Sequence, residues 1–183
     1  MDIFLRAFEP DDHILINRWR NDPEIMEMTQ STTGFVSSAM EKRWVEEQML
    51  NNRNNLYLAI CLSDSGEMVG YLSLRDIDHQ SMRAECSGIV IGRKDLWQKG
   101  IAAKAMRMLL DHAFDMLNLN LLFLFALEGN TGSLQLARSI GFRDTGFLPQ
   151  YQYKAGKMHS VVILALLRED YRESSSGLRK ADP

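Results

Sequence analysis

Residues 89–105 read IVIGRKDLWQKGIAAKA. An apolar run ending at Ile91 passes through a polar loop. After Gly100 the apolar residues Ala102, Ala105, Met106, Leu109, Leu110, Ala113, Phe114 and Leu117 recur at helical spacing. The stretch therefore predicts a strand, a loop and a long amphipathic helix. Amides in the first turn of a helix have no partner within it, and the helix dipole adds partial positive charge there. Such an end suits an anion, a pyrophosphate included. Gly100 lets a ligand come close to the backbone, Ala102 and Ala103 keep the first turn small, and Lys99 adds a mobile positive charge. An ordinary strand-to-helix turn reads the same way, and this stretch alone does not choose between them. Two other phosphate motifs are absent: there is no G-x-x-x-x-G-K-[ST] run, and Gly100 has no neighbouring glycines to make G-x-G-x-x-G.

Working outward, residues 121–127 (LLFLFAL) are too apolar and too short for an exposed element and read as a central strand buried on both faces. Residues 130–142 (NTGSLQLARSIGF) open a helix at Asn130 and stop it at Gly141. Upstream, residues 56–62, 68–74 and 84–91 read as three strands, joined by polar turns at 63–67 and 76–83. Residues 3–8 read as a first strand. Pro10 with Asp11 or Asp12 starts a helix carrying Ile14, Leu15 and Trp19, and Pro23 suits the first turn of a second. Residues 31–34 and 51–55 read as loops on either side of a third helix opened by Ser37 or Ser38. The last strands are expected at 142–147 and 157–167 around a Tyr-rich loop, followed by a polar, frayed tail at 172–183. This order predicts an α/β (α+β) fold with a mixed rather than all-parallel sheet: one domain over residues 1–171, then the tail.

Composition narrows the function classes. The 183 residues carry 21 Lys+Arg against 24 Asp+Glu, a formal net charge of -3, which lacks the basic excess of a nucleic-acid binder. No window approaches a membrane span, and the first residues do not resemble a signal peptide, so a cytoplasmic protein without nucleic-acid or membrane partners is expected. Cys61 and Cys86 lie in apolar strand-like runs and read as reduced, buried thiols. The histidines His13, His79, His112 and His159 are scattered, so no metal site is expected.

Taken together, a strand, W-Q-K-G-I-A, a long amphipathic helix, an apolar strand and N-x-x-S-x-x-L-x-x-x-x-G-F resemble the GNAT superfamily of acetyl-CoA-dependent N-acetyltransferases. The N-terminal LRAFEPDD…INRWRNDPEIM is similar to its spermidine and ribosomal-protein branch and to related amino-sugar enzymes. The resemblance implies a mostly antiparallel twisted sheet with a central splayed parallel strand pair and helices on both faces. It implies acetyl-CoA as cosubstrate, its pyrophosphate on the amides of Gln98, Lys99, Gly100, Ile101, Ala102 and Ala103, with Trp97 among the coenzyme-binding residues. The pantetheine arm would pair with the strand around Ile89 and Ile91, with Asn130 bonding the arm and Ser133 near the thioester. Trp97 stands where the family has Gln or Arg.

Acetyl transfer to an amine needs a neutral nucleophile, donors for the carbonyl oxygen and a way to discharge the thiolate. The family implies a strand carboxylate as base, which falls on Glu85. The alternative is a strand-face carboxylate paired to Arg83 or solvated. A backbone amide near Ile89 or Val90 would serve the carbonyl oxygen. Many members carry a tyrosine acid where this chain has Ala137, which leaves Ser133, Tyr151, Tyr153 or water for that role. The expected reaction is direct attack in a ternary complex on a small acceptor such as a polyamine or amino sugar. A protein N-terminus as acceptor, or a non-catalytic acyl-CoA-binding module, are the competing readings, and self-association is open. Glu24, Glu27, Glu41, Glu46 and Glu47 are acidic residues that could receive a cationic acceptor, or simply solvated helix faces.

Overall fold

A computed structural model describes residues 1–27, 29, 35–50 and 53–179, with side chains to residue 173. The elements in chain order are β1 (Ile3–Ala7), α1 (Asp12–Arg20), α2 (Pro23–Glu27), α3 (Ser38–Leu50), β2 (Leu56–Leu62), β3 (Met68–Asp78) and β4 (Arg83–Ile91). There follow α4 (Ile101–Asp111), β5 (Leu121–Leu127), α5 (Thr131–Ile140), β6 (Arg143–Lys154), β7 (Lys157–Leu167) and α6 (Arg168–Arg179). The strands form one seven-stranded sheet in the order β1-β2-β3-β4-β5-β7-β6. Every neighbouring pair is antiparallel except β4 with β5.

The period-2 alternation of the strands sends apolar residues to two separate cores. Ile60 and Leu62 of β2, Leu72 and Leu74 of β3, and Ala84 and Cys86 of β4 pack with Ala105, Met106, Leu109 and Leu110 of α4. Ala59 and Cys61 of β2 face the other way, with Ile16 and Trp19 of α1 and Val45 of α3. Both cysteines are free and buried. Burial pushes both thiols up, Cys86 to about 12, so neither is a ready nucleophile.

Several sequence expectations meet a different structure. β5 is not buried on both faces: Leu122, Leu124 and Ala126 are in the larger core, while Phe123 and Phe125 are only half-buried on the opposite face. The Tyr-rich segment is not a loop. β6 continues through it to Lys154, and β6 and β7 are joined by Ala155 and Gly156, with φ of 48° and 80°. Those angles suit a two-residue hairpin turn. β6 carries Pro149, which it tolerates as an edge strand. The cost appears as a bulge between Leu148 and Gln152, with Gln150 at φ 48°. The polar tail begins as α6, which runs to Arg179. Strands β3 and β4 extend to Asp78 and from Arg83, so the turn between them is shorter than residues 76–83. The expected loop at 31–34, and residues 51 and 52 of the next one, lie outside the described residues.

Gly92, just past β4, shows how closely the smaller core is filled. A Cβ there would lie 2.0–2.3 Å from atoms of the Trp19 indole. Gly92→Ala should therefore destabilise the fold by about 1–3 kcal/mol. Urea denaturation reads this as a lower midpoint at unchanged slope, and an unchanged midpoint would contradict the packing.

Candidate active site

The parallel pairing of β4 with β5 covers three positions, ending at Glu85 opposite Phe123. Beyond that row the strands part. The cause lies in β4: Tyr71 pairs with Val90 but Ser73 with Ser87, so two steps along β3 face three along β4. This is a bulge, with Gly88 at φ 65° and the Ser73 hydroxyl donating to the Ser87 carbonyl at 2.8 Å. A bulge bends its strand, and here it turns the second half of β4 away from β5. Among the described residues, the edges of both strands facing the split have no strand partner. The crossover from β4 through α4 to β5 puts the N-termini of α4 and α5 at the carboxyl ends of the two parallel strands, where open α/β sheets bind ligands.

At the first of these ends, Gln98 and Gly100 have φ of 61° and 78°, so the chain turns through two left-handed residues before α4 begins. The first helical bond runs from the Lys104 amide to the Gly100 carbonyl at 3.0 Å. The amides of Ile101, Ala102 and Ala103 thus precede any intrahelical bond. A Cβ on Gly100 would meet nothing within 4 Å, so the space beside Gly100 is open. Trp97 has a role that sequence did not reveal. Its indole Nε1 donates to the Ile91 carbonyl at 2.7 Å and pins the loop to the end of β4. The Ile91 carbonyl thus already accepts one hydrogen bond, and Ile89 lies within the bulged segment of β4. At the second end Asn130 caps α5, its Oδ1 accepting the Ser133 amide at 3.0 Å. Both groups fit an acyl-CoA: open amides and a small-residue turn for its phosphates, and a split with free strand edges for its arm.

Glu85 sits where the split closes and is 7% exposed. Its partner is Arg75, directly opposite on β3, whose Nη2 donates to both carboxylate oxygens at 3.0 and 3.1 Å. The sequence-level alternative of Arg83 does not hold, because Arg83 lies 3.7 Å from Asp78. Arg75 Nε is buried with no hydrogen-bond partner among the described residues. Tyr57 lies close by, its phenol pushed up by burial and drawn back by Arg75 and Arg20. On the β5 side the same face carries Phe123 and Phe125, and the ring of Tyr151 stacks on Phe125 at 6.5 Å and 5°. Tyr151 and Tyr153 are 59% and 64% exposed.

Helix α2 is tied to both sides of this region. Lys94, in the loop leaving β4, reaches Asp22 at 2.8 Å and Glu24 at 2.7 Å. Lys154, at the β6–β7 tip, donates to the carbonyls of Met26 at 2.6 Å, Glu27 at 3.0 Å and Thr29. Those carbonyls end the helix, where a cation is favoured. Burial pushes the Lys154 ammonium below the ordinary lysine range, against the pull of Glu27. Sequence reading singled out neither lysine, because their partners are more than sixty residues away. Arg75 was missed as well, although in GYLSLRDID it lies on the Tyr71, Ser73, Arg75 side of the alternation, the signal that could have marked it as facing Glu85.

Comparison with known proteins agrees with this arrangement. The family described as Acetyltransferase (GNAT) domain matches residues 2–143. An uncharacterized N-acetyltransferase, p20, of Bacillus licheniformis is 30% identical over 171 residues, covering 91% of this chain and 93% of that protein. The spermidine N(1)-acetyltransferase of Escherichia coli K12 is 27% identical over 106 residues, 58% of this chain and 56% of that protein. Among solved structures, the Vibrio cholerae spermidine N-acetyltransferase in complex with CoA and spermine superposes with a TM-score of 0.85 at 22% identity, over 93% of this chain and 98% of that one. At that identity the likeness establishes the fold. Among the described residues no helix is long and apolar enough to cross a membrane, and no three His, Cys, Asp or Glu come together as a metal site.

The open space at Gly100 yields a direct test. Gly100→Glu puts a side chain and a negative charge in front of the α4 amides, and acetyl-CoA binding should be lost. Calorimetry on the variant, with circular dichroism to confirm folding, checks this. Unchanged affinity in a folded variant would remove the phosphate role of this loop.

Proposed function

This chain belongs to the GNAT acetyltransferases, enzymes that move an acetyl group from acetyl-CoA to an amine, and from that premise we propose how its own residues divide the work. The observation that carries the proposal is the split between β4 and β5, with a carboxylate at its closed end and two helix N-termini at its open end. The amides of residues 98–103 hold the pyrophosphate, and the pantetheine arm runs along the free edge of β4 past Ile89. Asn130 bonds the arm while capping α5. This leads the thioester to the row of Glu85 and Phe123.

The acceptor enters from the opposite face and attacks in a ternary complex. A free alkylamine has a pKa near 10.4, so it must shed a proton to act at neutral pH. Glu85 takes that proton, directly or through water. The nitrogen lone pair forms the C–N bond, the C–S bond breaks, and the thiolate carries away the electron pair. An amide of the β4 bulge, at Ile89 or Val90, stabilises the oxygen while it is negative. The thiolate is protonated by Ser133 from the α5 side, by Tyr151 or Tyr153 from the β6 side, or by water. Holding the two substrates side by side supplies much of the remaining acceleration. Within this reading the acceptor is a small primary amine.

Glu85→Gln keeps shape and loses proton acceptance. Thiol release at neutral pH should fall by about 10²–10⁴-fold with acetyl-CoA affinity unchanged. A fall of only a few-fold would return Glu85 to a purely structural pairing with Arg75.

A further inference from the structure

Resting on the acetyltransferase reading above, we infer that the acceptor is a monoamine carried on a flat, uncharged ring, and that the site disfavours polyamines. The charge arrangement is the first ground. A polycation needs several carboxylates free to receive it, and several of those on the surrounding elements are engaged. Glu85 has Arg75, Asp22 and Glu24 share Lys94, and Glu41 has Arg20 at 3.0 Å. Glu27 sits beside Lys154, whose ammonium holds the end of its helix. Glu47 is paired to Arg43 on the exposed side of α3. Asp76, next to Arg75 at the β3–β4 bulge, lies in the field of the same guanidinium. Residues 28, 30–34, 51 and 52 are Met, QSTTG and two Asn, so they bring no carboxylate. Arg75 is also a positive charge presented to the site, with 43% of its side chain exposed. Like charges set against each other repel, so a second or third ammonium near Arg75 is penalised.

The second ground is the wall beside Glu85. Phe123 shares its row, Phe125 stands two residues further along the same face, and Tyr151 lies parallel to Phe125. Phe123 and Phe125 remain half-buried in a strand otherwise apolar enough for a fully covered position. A flat aromatic surface next to one carboxylate suits a molecule with one ammonium and one ring. The ring faces Phe125 and Tyr151 while the nitrogen points to Glu85. An aryl ring and the apolar face of a pyranose share this chemistry.

The test is the specificity of the full-length enzyme, read as kcat/KM by thiol release at saturating acetyl-CoA. The acceptors are 2-phenylethylamine, glucosamine and spermidine. At least one ring monoamine should exceed spermidine by about tenfold or more, the scale of one lost or gained contact, and the two ring arms show whether aryl or sugar is preferred. Arg75→Met should move the ratio toward spermidine, and Phe125→Ala, which removes part of the aromatic wall, should lower the ring monoamine's kcat/KM more than that of spermidine. Spermidine as the best wild-type acceptor would overturn the inference while leaving acetyl transfer to an amine in place. Thiol release with none of the three, from protein that binds acetyl-CoA, would overturn the catalytic reading and this inference with it.

Discussion

Between Ser87 and Val90, β4 carries one residue more than β3 opposite it, and from that surplus the sheet divides. A strand fully paired on both sides has no backbone group to offer a ligand. By bending at Gly88, β4 keeps its bonds to β3 and gives up those to β5. This leaves an exposed strand edge in the middle of a sheet, where edges are normally confined to the rim. The remaining features of the site are arranged around that opening. The two parallel strands deliver two helix N-termini to its wide end, and the last paired row places Glu85 at its narrow end. Trp97 and Gly92 hold the exit of β4, one by an indole hydrogen bond and one by making room for Trp19.

Much of this was legible from local chemistry. Residues 56–62 and 121–127 are strands with the bounds their apolar runs suggested, and Asn130 and Gly141 bracket α5 as cap and left-handed stop. The amphipathic face of α4 and the turn before it follow directly from residues 89–117. What was hidden depends on long-range pairing. β6 carries a proline and a bulge that β7 and its edge position tolerate, so a segment that reads as a loop becomes a strand. Arg75 as the partner of Glu85 follows from β3–β4 register, which apolar runs alone do not determine. The half-open state of Phe123 and Phe125 shows only once α1 and α3 are seen to cover β2 and β3 rather than β5.

Helix α2 joins the two halves of the molecule around the split. Its first-turn acids meet Lys94, on the segment leading to α4, and its terminal carbonyls meet Lys154 on the β6–β7 tip. Five residues thus connect the coenzyme side to the hairpin that brings Tyr151. Pairing of Asp22 and Glu24 to Lys94 makes this side less acidic than its sequence suggests, whereas Lys154 meets the backbone carbonyl of Glu27 and not its carboxylate. A fold shared with spermidine enzymes is compatible with a different acceptor, because acceptor choice rests on a few side chains set on a common frame.

The dependence of the site on the split is open to one direct measurement, amide hydrogen exchange of the full chain with and without acetyl-CoA. Ligand binding along the free edge of β4 and at the α4 N-terminus predicts slower exchange in residues 88–91 and 98–103. β1 and β2, on the far side of the sheet, should show little change. Protection absent from residues 98–103, or concentrated outside β4, α4 and α5, would contradict the split as the coenzyme site.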